Sequence, residues 1–311
     1  MSAASRVLLL GGSGFIGSSV AAALSARGMA LTVQTRRLAR ASELSVLPTV
    51  NVVEADPHDE AALARLVPGH DAVVNLVGVL HAPFEAAHVE LPARAARLAA
   101  RAGARHFVQF SALGAAMTAP SAYLQSRERG EAGAHRAAEG SAMQVTVLRP
   151  SVVFGESDRF LNLFATLLRW SPLLPLGSPS ALFQPVWVED VARAVVHCLT
   201  EPAAAGHTWP LAGPRIYTLR ELVELVMRLS GHHRPILPLG PGLSMMQAAV
   251  FEHLPGRLIT RDNVLSMRVP NTSETAFPFG PAHDIETTAA RWLGAVRMAD
   301  PYGPARTRAG R

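Results

Sequence analysis

The stretch LLLGGSGFIGSSV, residues 8–20, restricts the fold of this chain more than any other segment. Its glycines satisfy both G-x-x-G-x-x-G and G-x-G-x-x-G, directly after an apolar run and at the start of an Ala-rich helical pattern. Glycines at this spacing permit a tight turn, let the main chain approach a diphosphate, and allow a helix to pack closely on a strand. The helix start would direct N–H groups and partial positive charge at the phosphates. The residues predicted to contact a bound nucleotide are Gly11, Gly12, Ser13, Gly14, Phe15, Ile16 and Gly17.

Short apolar runs alternate with Ala-rich helical stretches through the first half of the chain, from RVLLL to HFVQFSALG. Strands that are apolar throughout are typical of a parallel sheet with helices on both faces. We therefore predict an α/β fold, a Rossmann-type doubly wound parallel sheet, over residues 1–155. A smaller C-terminal lobe for a substrate or a partner is predicted over residues 156–311, with parts of 181–213 returning to the sheet.

The end of the second predicted strand indicates which nucleotide binds. A site that prefers NAD(H) carries a carboxylate there to accept the ribose hydroxyl groups, whereas the segment LTVQTRRLAR has Arg36 and Arg37. A guanidinium group pairs with the 2′-phosphate of NADP(H), which a carboxylate would repel. NADP(H) is therefore favoured over NAD(H); the alternative is that these are surface arginines of an Arg-rich protein. Asp56, after the third strand, could meet the adenine edge or be an ordinary loop aspartate.

Composition excludes several classes of protein. All 29 Lys and Arg residues are Arg, but they are spread along the chain and only three Tyr occur, so a nucleic-acid-binding surface is not expected. No spacing of His, Cys and carboxylates is typical of a metal site. No apolar run approaches the roughly 18 residues that span a bilayer, and the single cysteine forms no internal disulfide. We expect a cytoplasmic protein without a transmembrane segment.

Several motifs, taken in order, resemble the extended short-chain dehydrogenase/reductase superfamily. They are the glycine loop, NLVG at residues 75–78, Ser111 after the fifth strand, Tyr123, LRPSVVFG and FQPVWVEDVA. The longer strings YLQSRERGE, RFLNLFA and LITRDNV resemble, more narrowly, an atypical branch of that superfamily. This branch contains the NADPH-binding accessory subunit of mitochondrial complex I and its bacterial relatives. The resemblance covers nearly the whole chain.

The resemblance implies roles for individual residues. Tyr123 would be the general acid/base toward a substrate carbonyl or alcohol, and Ser111 would orient that oxygen. The superfamily has a lysine four residues after the tyrosine, where this chain has Arg127. A guanidinium group can supply positive charge and donate to a ribose, but it does not lose a proton. The resemblance also assigns Val77, Gly78 and Pro150 to the cofactor site.

Two functions are compatible with these residues. The first is an accessory-type, cofactor-holding or quinone-linked protein with weak or no turnover. The second is an active NADPH-dependent oxidoreductase or epimerase that acts on a small carbonyl or alcohol. The resemblance implies a respiratory-chain or membrane-associated partner, and with it a peripheral location at the inner membrane.

One segment, GLSMMQAAVFEHLPGRLI, has the pattern of an amphipathic helix that could contact such a partner. The alternative is a helix that packs on the protein's own second lobe. The residues on its apolar side are Leu243, Met246, Val250, Phe251 and Leu254.

Overall fold

The computed structural model describes residues 5–253 and 259–294. Its strands are β1 (Arg6–Leu10), β2 (Ala30–Thr35), β3 (Val50–Glu54), β4 (Ala72–Asn75), β5 (His106–Phe110), β6 (Gln144–Pro150), β7 (Val153–Phe154), β8 (Leu174–Gly177), β9 (Leu182–Phe183), β10 (Val186–Trp187), β11 (Thr208–Leu211), β12 (Tyr217–Thr218) and β13 (Ile236–Leu239). Its α-helices are α1 (Phe15–Ser25), α2 (Glu60–Leu66), α3 (Leu91–Arg101), α4 (Ala122–Ala138), α5 (Leu161–Trp170), α6 (Val188–Thr200), α7 (Leu219–Ser230), α8 (Pro241–Phe251), α9 (Arg261–Ser266) and α10 (Ile285–Leu293).

Seven strands form one parallel sheet in the order β11-β6-β5-β4-β1-β2-β3. β1 lies near the centre and pairs with both β2 and β4, so that Leu9 aligns with Val33 on one side and Val74 on the other. The strand order reverses direction between β1 and β4, which is the point where ligands bind in sheets of this kind. The predicted doubly wound parallel sheet is confirmed.

The central strand is apolar throughout because both of its faces are covered. Val7 and Leu9 join the hydrophobic cluster that α1 and α6 form on one face, whereas Leu8 and Leu10 join the cluster of α2, α3 and α4 on the other. Successive side chains of a strand point to opposite faces, so a strand between two helix layers needs an apolar residue at every position. All four of these side chains are completely buried.

The chain after β6 contributes to both the sheet and a second lobe. β11 pairs with β6 and extends the large sheet, while α5, α7 and α10 enclose a separate hydrophobic cluster that includes Leu161, Leu222 and Leu293. The short strand pairs β7–β10, β8–β13 and β9–β12 are separate from the large sheet. Part of the chain after β6 therefore packs outside the large sheet.

Close packing of α4 against the start of α3 determines where the predicted catalytic residues lie. The turn that precedes α3, Ala86–Glu90, is π-helical. A Cβ atom added at Gly130 of α4 would overlap the carbonyl oxygen of His88 in this turn. Because glycine has no Cβ, the two backbones approach closely, and the first turns of α4 lie beside the π-helical turn.

Helix α8 presents its apolar side to the surface. Leu243, Met246 and Val250 are 52%, 62% and 58% exposed, whereas Ser244 and Ala248 are fully buried. Polar contacts join the inward side to the segment around β8: the Ser178 N–H donates to the Ser244 hydroxyl at 3.3 Å, and the Gln247 amide donates to the Pro175 carbonyl at 3.1 Å. Leu254, which the sequence adds to the apolar side, lies outside the described residues. No helix in residues 5–253 and 259–294 is long and apolar enough to cross a membrane.

Candidate functional site

The glycine loop is fixed to the end of β2. Gly11 adopts a left-handed conformation with φ of 73°, and its N–H donates to the Gln34 side chain at 2.9 Å. The hydroxyl groups of Ser13 and Thr35 are 2.8 Å apart and share a hydrogen bond. The N–H of Gly14 donates to the Gly11 carbonyl at 3.1 Å and closes the turn. The loop therefore has one defined conformation, set by contacts within the protein.

Different contacts surround the individual glycines of this loop. A Cβ atom at Gly17 would lie 2.5 Å from the carbonyl oxygen of Gly12, and one at Gly12 would lie 2.9 Å from the side chains of Leu9 and Val33. Internal packing thus excludes a side chain at both positions. At Gly14, which is exposed, a Cβ atom would meet only the Gly11 carbonyl oxygen, at 3.3 Å. The main chain at Gly14 is therefore accessible from the solvent.

The start of α1 has no side-chain cap. Gly14 is the N-cap residue, and the first turn contains no acidic residue. The first turn instead contains Phe15, whose ring packs against Gly155, and Ile16, which packs on the core. Other helices begin at an N-cap residue whose side chain accepts from the backbone, among them those capped by Asp59, Ser121, Thr218, Thr260 and Asp284. The uncapped start of α1 at the carboxyl edge of the sheet suits an anionic group such as a diphosphate.

Arg36 and Arg37 follow β2 on the surface beside this loop. Neither has a salt bridge to a carboxylate within residues 5–253 and 259–294. The Thr35 hydroxyl donates to the Arg37 carbonyl at 3.0 Å, which fixes the backbone between them. Asp56, after β3, is exposed and accepts from the His58 N–H at 3.0 Å. The arginines are therefore available to an external anion.

The segment after β4 connects the glycine loop to α4. A Cβ atom at Gly11 would lie 3.1 Å from the side chain of Val77, so the two segments are in close contact. At Gly78, an added Cβ would overlap the guanidinium group of Arg127. Pro150 ends β6 at the same edge, and its carbonyl accepts from the Leu113 N–H at 3.1 Å. The structure thus brings the glycine loop, Val77, Gly78 and Arg127 together.

Tyr123 lies in the first turn of α4. The carboxylate of Asp262, in α9, accepts from the N–H groups of Ala122 at 2.8 Å and Tyr123 at 3.1 Å. The central carbon of the Arg127 guanidinium lies 5.2 Å from the centroid of the Tyr123 ring. Arg127 is only 9% exposed and donates to the Phe110 carbonyl at 3.3 Å. Its Nε has no hydrogen-bond partner among the described residues. The cation is therefore buried, with incomplete hydrogen bonding, over the ring face.

Ser111 is engaged away from Tyr123. Its hydroxyl donates to the carboxylate of Glu131. Glu131 is buried and forms a salt bridge of 2.6 Å with Arg149, which also contacts Glu128 at 2.7 Å. Ser111 therefore belongs to a buried cluster of charged groups, and its hydroxyl is already hydrogen-bonded within the protein.

Sequence reasoning missed His88, which the structure brings against Tyr123. The two rings meet edge to face with centroids 5.5 Å apart, and Phe84 stacks on His88 at 5.3 Å while also contacting Tyr123. Burial, together with the positive charge of Arg127, lowers the pKa of His88 to about 3. A lone histidine between Ala87 and Val89 was the only sequence signal, and its spacing to other polar residues reveals no partner.

Comparisons with known proteins identify relatives of this chain. The NAD dependent epimerase/dehydratase family matches residues 7–212. Subunit 9 of the NADH dehydrogenase [ubiquinone] 1 alpha subcomplex from Mus musculus is 30% identical over 74% of this chain and 62% of its own length. Ceramide reductase from Caulobacter vibrioides is 32% identical over 65% of this chain and 67% of its own length. These matches confirm the predicted resemblance.

Solved structures share the fold. MoeE5, in complex with UDP-glucose and NAD, superposes with a TM-score of 0.73 at 18% identity and covers 94% of this chain and 99% of its own. A dTDP-glucose 4,6-dehydratase from Streptomyces venezuelae, with NAD bound, gives a TM-score of 0.73 at 20% identity, covering 96% and 98%. The chain spans 49% to 62% of the length of the three mammalian and plant mitochondrial relatives it matches.

The neutral state of His88 makes stability depend on pH. The pKa of His88 is near 6.5 in the unfolded chain and about 3 in the folded protein. At a pH between these two values, the unfolded state therefore binds one more proton than the folded state. The free energy of unfolding then falls as the pH falls, by about 1.4 kcal/mol per pH unit for this group. We expect His88→Phe to reduce this decline between about pH 6.5 and 4, measured by urea unfolding.

His106 does not affect the comparison between His88→Phe and the wild type. Burial also lowers the pKa of His106, but that residue is present in both proteins, so its contribution cancels. An identical pH dependence in the variant and the wild type would contradict the neutral burial of His88.

Proposed function

Because this chain belongs to the NAD dependent epimerase/dehydratase family, we propose that it holds NADP(H) at the glycine loop as an accessory-type protein with weak or no turnover. The observation that carries the cofactor proposal is the exposed Gly14 at the uncapped start of α1. The main-chain N–H groups there would bind the diphosphate, and the glycine lets an oxygen approach without meeting a Cβ atom. Proteins of the same fold have been solved with NAD bound, which supports a dinucleotide of this class.

The preference for NADP(H) rests on the residues after β2. Arg36 and Arg37 are exposed beside the glycine loop, and no carboxylate of the described chain neutralises them. Their guanidinium groups would pair with the 2′-phosphate, while Asp56 would lie toward the adenine. An NAD(H)-preferring site would need an acceptor for the ribose hydroxyls in place of these cations.

Weak turnover is proposed from the groups around Tyr123. A bound nicotinamide would supply the hydride chemistry, and Tyr123 would hold or give a proton at its hydroxyl oxygen. The Ser111 hydroxyl, however, donates to the Glu131 carboxylate, and Arg127 is buried over the ring face of Tyr123. In this arrangement the Ser111 hydroxyl hydrogen is directed to Glu131 and is not available to a substrate oxygen. The alternative is an active oxidoreductase or epimerase for a small carbonyl or alcohol, in which both groups would have to rearrange.

A respiratory-chain partner is proposed from the surface of α8. Curated relatives are subunits of mitochondrial NADH dehydrogenase or NADH-ubiquinone oxidoreductase. In α8 the apolar residues Leu243, Met246 and Val250 face outward while Ser244 and Ala248 face inward, the reverse of a solvated helix. An apolar surface of a membrane-associated respiratory subunit would cover this side. The protein would then lie peripherally at the inner membrane.

Two glycine variants separate cofactor binding from folding. We expect Gly14→Ala to leave the free energy of unfolding within about 1 kcal/mol of wild type but to weaken NADPH binding at least about tenfold, because the Cβ faces the diphosphate. Gly17→Ala should instead destabilise the fold, since its Cβ overlaps the Gly12 main chain. NADPH fluorescence titration and urea unfolding measure the two effects. Wild-type affinity in Gly14→Ala would contradict the site.

Replacing both arginines tests the cofactor preference. We expect the double variant Arg36→Ser and Arg37→Ser to lose about tenfold or more in NADPH affinity and to keep its NADH affinity, because only the 2′-phosphate contact is removed. Arg27→Ser is the matched control, since Arg27 is exposed beyond the far end of α1. If NADH already binds more tightly than NADPH to the wild type, the preference is wrong.

The rate of NADPH oxidation distinguishes the proposed accessory role from the alternative of an active enzyme. We expect the wild type to oxidise NADPH with a panel of carbonyls and quinones no faster than Tyr123→Phe, because Ser111 donates to Glu131 and Arg127 cannot replace the lysine of a proton relay. Both proteins should retain NADPH equally in the fluorescence titration. A rate that Tyr123→Phe abolishes would contradict the accessory role and support the alternative enzyme.

A charge on α8 tests the partner surface. We expect the wild type to capture respiratory-chain subunits from a detergent extract of membranes, and Met246→Glu to lose them, because burying the new carboxylate is costly. Val46→Glu is the control, since Val46 is 81% exposed on the sheet domain and carries the same change. Equal capture by both variants, or none by the wild type, would contradict this surface.

A further inference from the structure

His88 links the two segments that surround the candidate site. It lies in the π-helical turn Ala86–Glu90 and is 1% exposed. The N–H of Val79, in the segment after β4, lies 3.0 Å from its Nε2, and the Ser126 hydroxyl of α4 lies 2.9 Å from its Nδ1. The same ring therefore contacts both the segment beside the glycine loop and the helix that carries Tyr123.

The contacts of His88 define which ring nitrogen carries the proton. A backbone N–H can only donate, so Nε2 accepts from Val79 and carries no hydrogen. The Ser126 hydroxyl donates to the Tyr123 carbonyl at 2.7 Å, which leaves its oxygen free to accept from Nδ1–H. A directed chain of hydrogen bonds thus runs from the Val79 amide through His88 and Ser126 to the backbone of Tyr123.

The side chain of Tyr123 is held by the same residue. The His88 ring contacts the Tyr123 ring edge to face, and Phe84 contacts both, with its centroid 5.8 Å from that of Tyr123. The Arg127 guanidinium lies over the Tyr123 ring at 5.2 Å from its centroid. His88 therefore contacts the Tyr123 ring directly and is linked to the first turns of α4 through Ser126.

A role as a proton donor or acceptor does not fit His88. With its pKa lowered to about 3 by burial and by the charge of Arg127, the ring stays neutral at physiological pH. Both ring nitrogens are already engaged with Val79 and Ser126, so neither is available to a substrate. The ring is suited to hold its neighbours in place.

We propose that His88 is a positioning residue that ties the segment after β4 to the first turn of α4, so that the cofactor-side loop and Tyr123 keep a fixed spacing. The role rests on the proposed cofactor function. Without the two hydrogen bonds, Val79 would lose its only side-chain anchor among the described contacts, and the segment in contact with Gly11 and Arg127 would adopt several conformations.

Three variants test this role. His88→Phe preserves an aromatic ring in contact with Phe84 and Tyr123 but removes both hydrogen bonds. His88→Gln loses the ring, yet its amide can accept from Val79 and donate to Ser126. His135→Phe, at an exposed position on the same helix α4, is the control.

We expect His88→Phe to weaken NADPH binding about tenfold, His88→Gln to stay within about threefold of wild type, and His135→Phe to be unchanged. A role in packing alone would give the opposite order, with phenylalanine tolerated better than glutamine. Wild-type affinity in His88→Phe, or equal losses in the phenylalanine and glutamine variants, would overturn the proposal.

A measurement without cofactor tests the positioning role separately. If the wild type does not bind NADPH, the proposed function is wrong, but the role of His88 in holding Val79 can still be measured. Amide hydrogen exchange at Val79 should accelerate at least about tenfold in His88→Phe, relative to amides of β1, and remain near wild type in His88→Gln. Unchanged exchange at Val79 in His88→Phe would refute the positioning role independently of any cofactor.

Discussion

The contact between Gly17 and the main chain of Gly12 determines how the rest of the site is arranged. A side chain at Gly17 would lie 2.5 Å from the Gly12 carbonyl oxygen, so α1 can begin this close to the loop after β1 only because Gly17 has no Cβ atom. This approach directs the uncapped helix start toward the carboxyl edge of the sheet. Gly14 is then exposed at the surface, near the end of β2. Arg36 and Arg37 come directly after that strand. A second close approach, of Gly130 to the carbonyl of His88, brings α4 and Tyr123 to the same edge.

Around Tyr123 the protein satisfies its polar groups internally. Ser111 bonds Glu131, His88 connects Val79 to Ser126, and Asp262 accepts from the first N–H groups of α4. Such a network favours one geometry, because breaking the bonds of Ser111 or His88 leaves a buried polar group without a partner. The exception is Arg127, whose buried Nε has no partner in the described part of the chain. A rigid site with its hydroxyl and imidazole groups occupied is better suited to holding a cofactor than to handling a changing substrate.

The sequence predicts the sheet and the glycine loop because their signals are local. Four glycines within seven residues and apolar runs of strand length need no knowledge of distant contacts. The polar partners could not be predicted, since they depend on separations set by the tertiary fold: Glu131 reaches Ser111 across 20 residues, and Asp262 reaches Tyr123 across 139. The apolar side of α8 could be predicted from helical spacing, but its outward orientation could not, because it accompanies contacts of Ser244 and Gln247 with Ser178 and Pro175, far away in the sequence. His88 was missed because a π-helical turn, which has no clear sequence signature, orients it.

A crystal structure of the protein with NADPH tests the central claim most directly. The account expects the diphosphate oxygens within about 3 Å of backbone nitrogens between Gly12 and Ile16, with the adenosine side toward Arg36 and Arg37. A dinucleotide bound elsewhere, or a diphosphate that does not contact this loop, would contradict it.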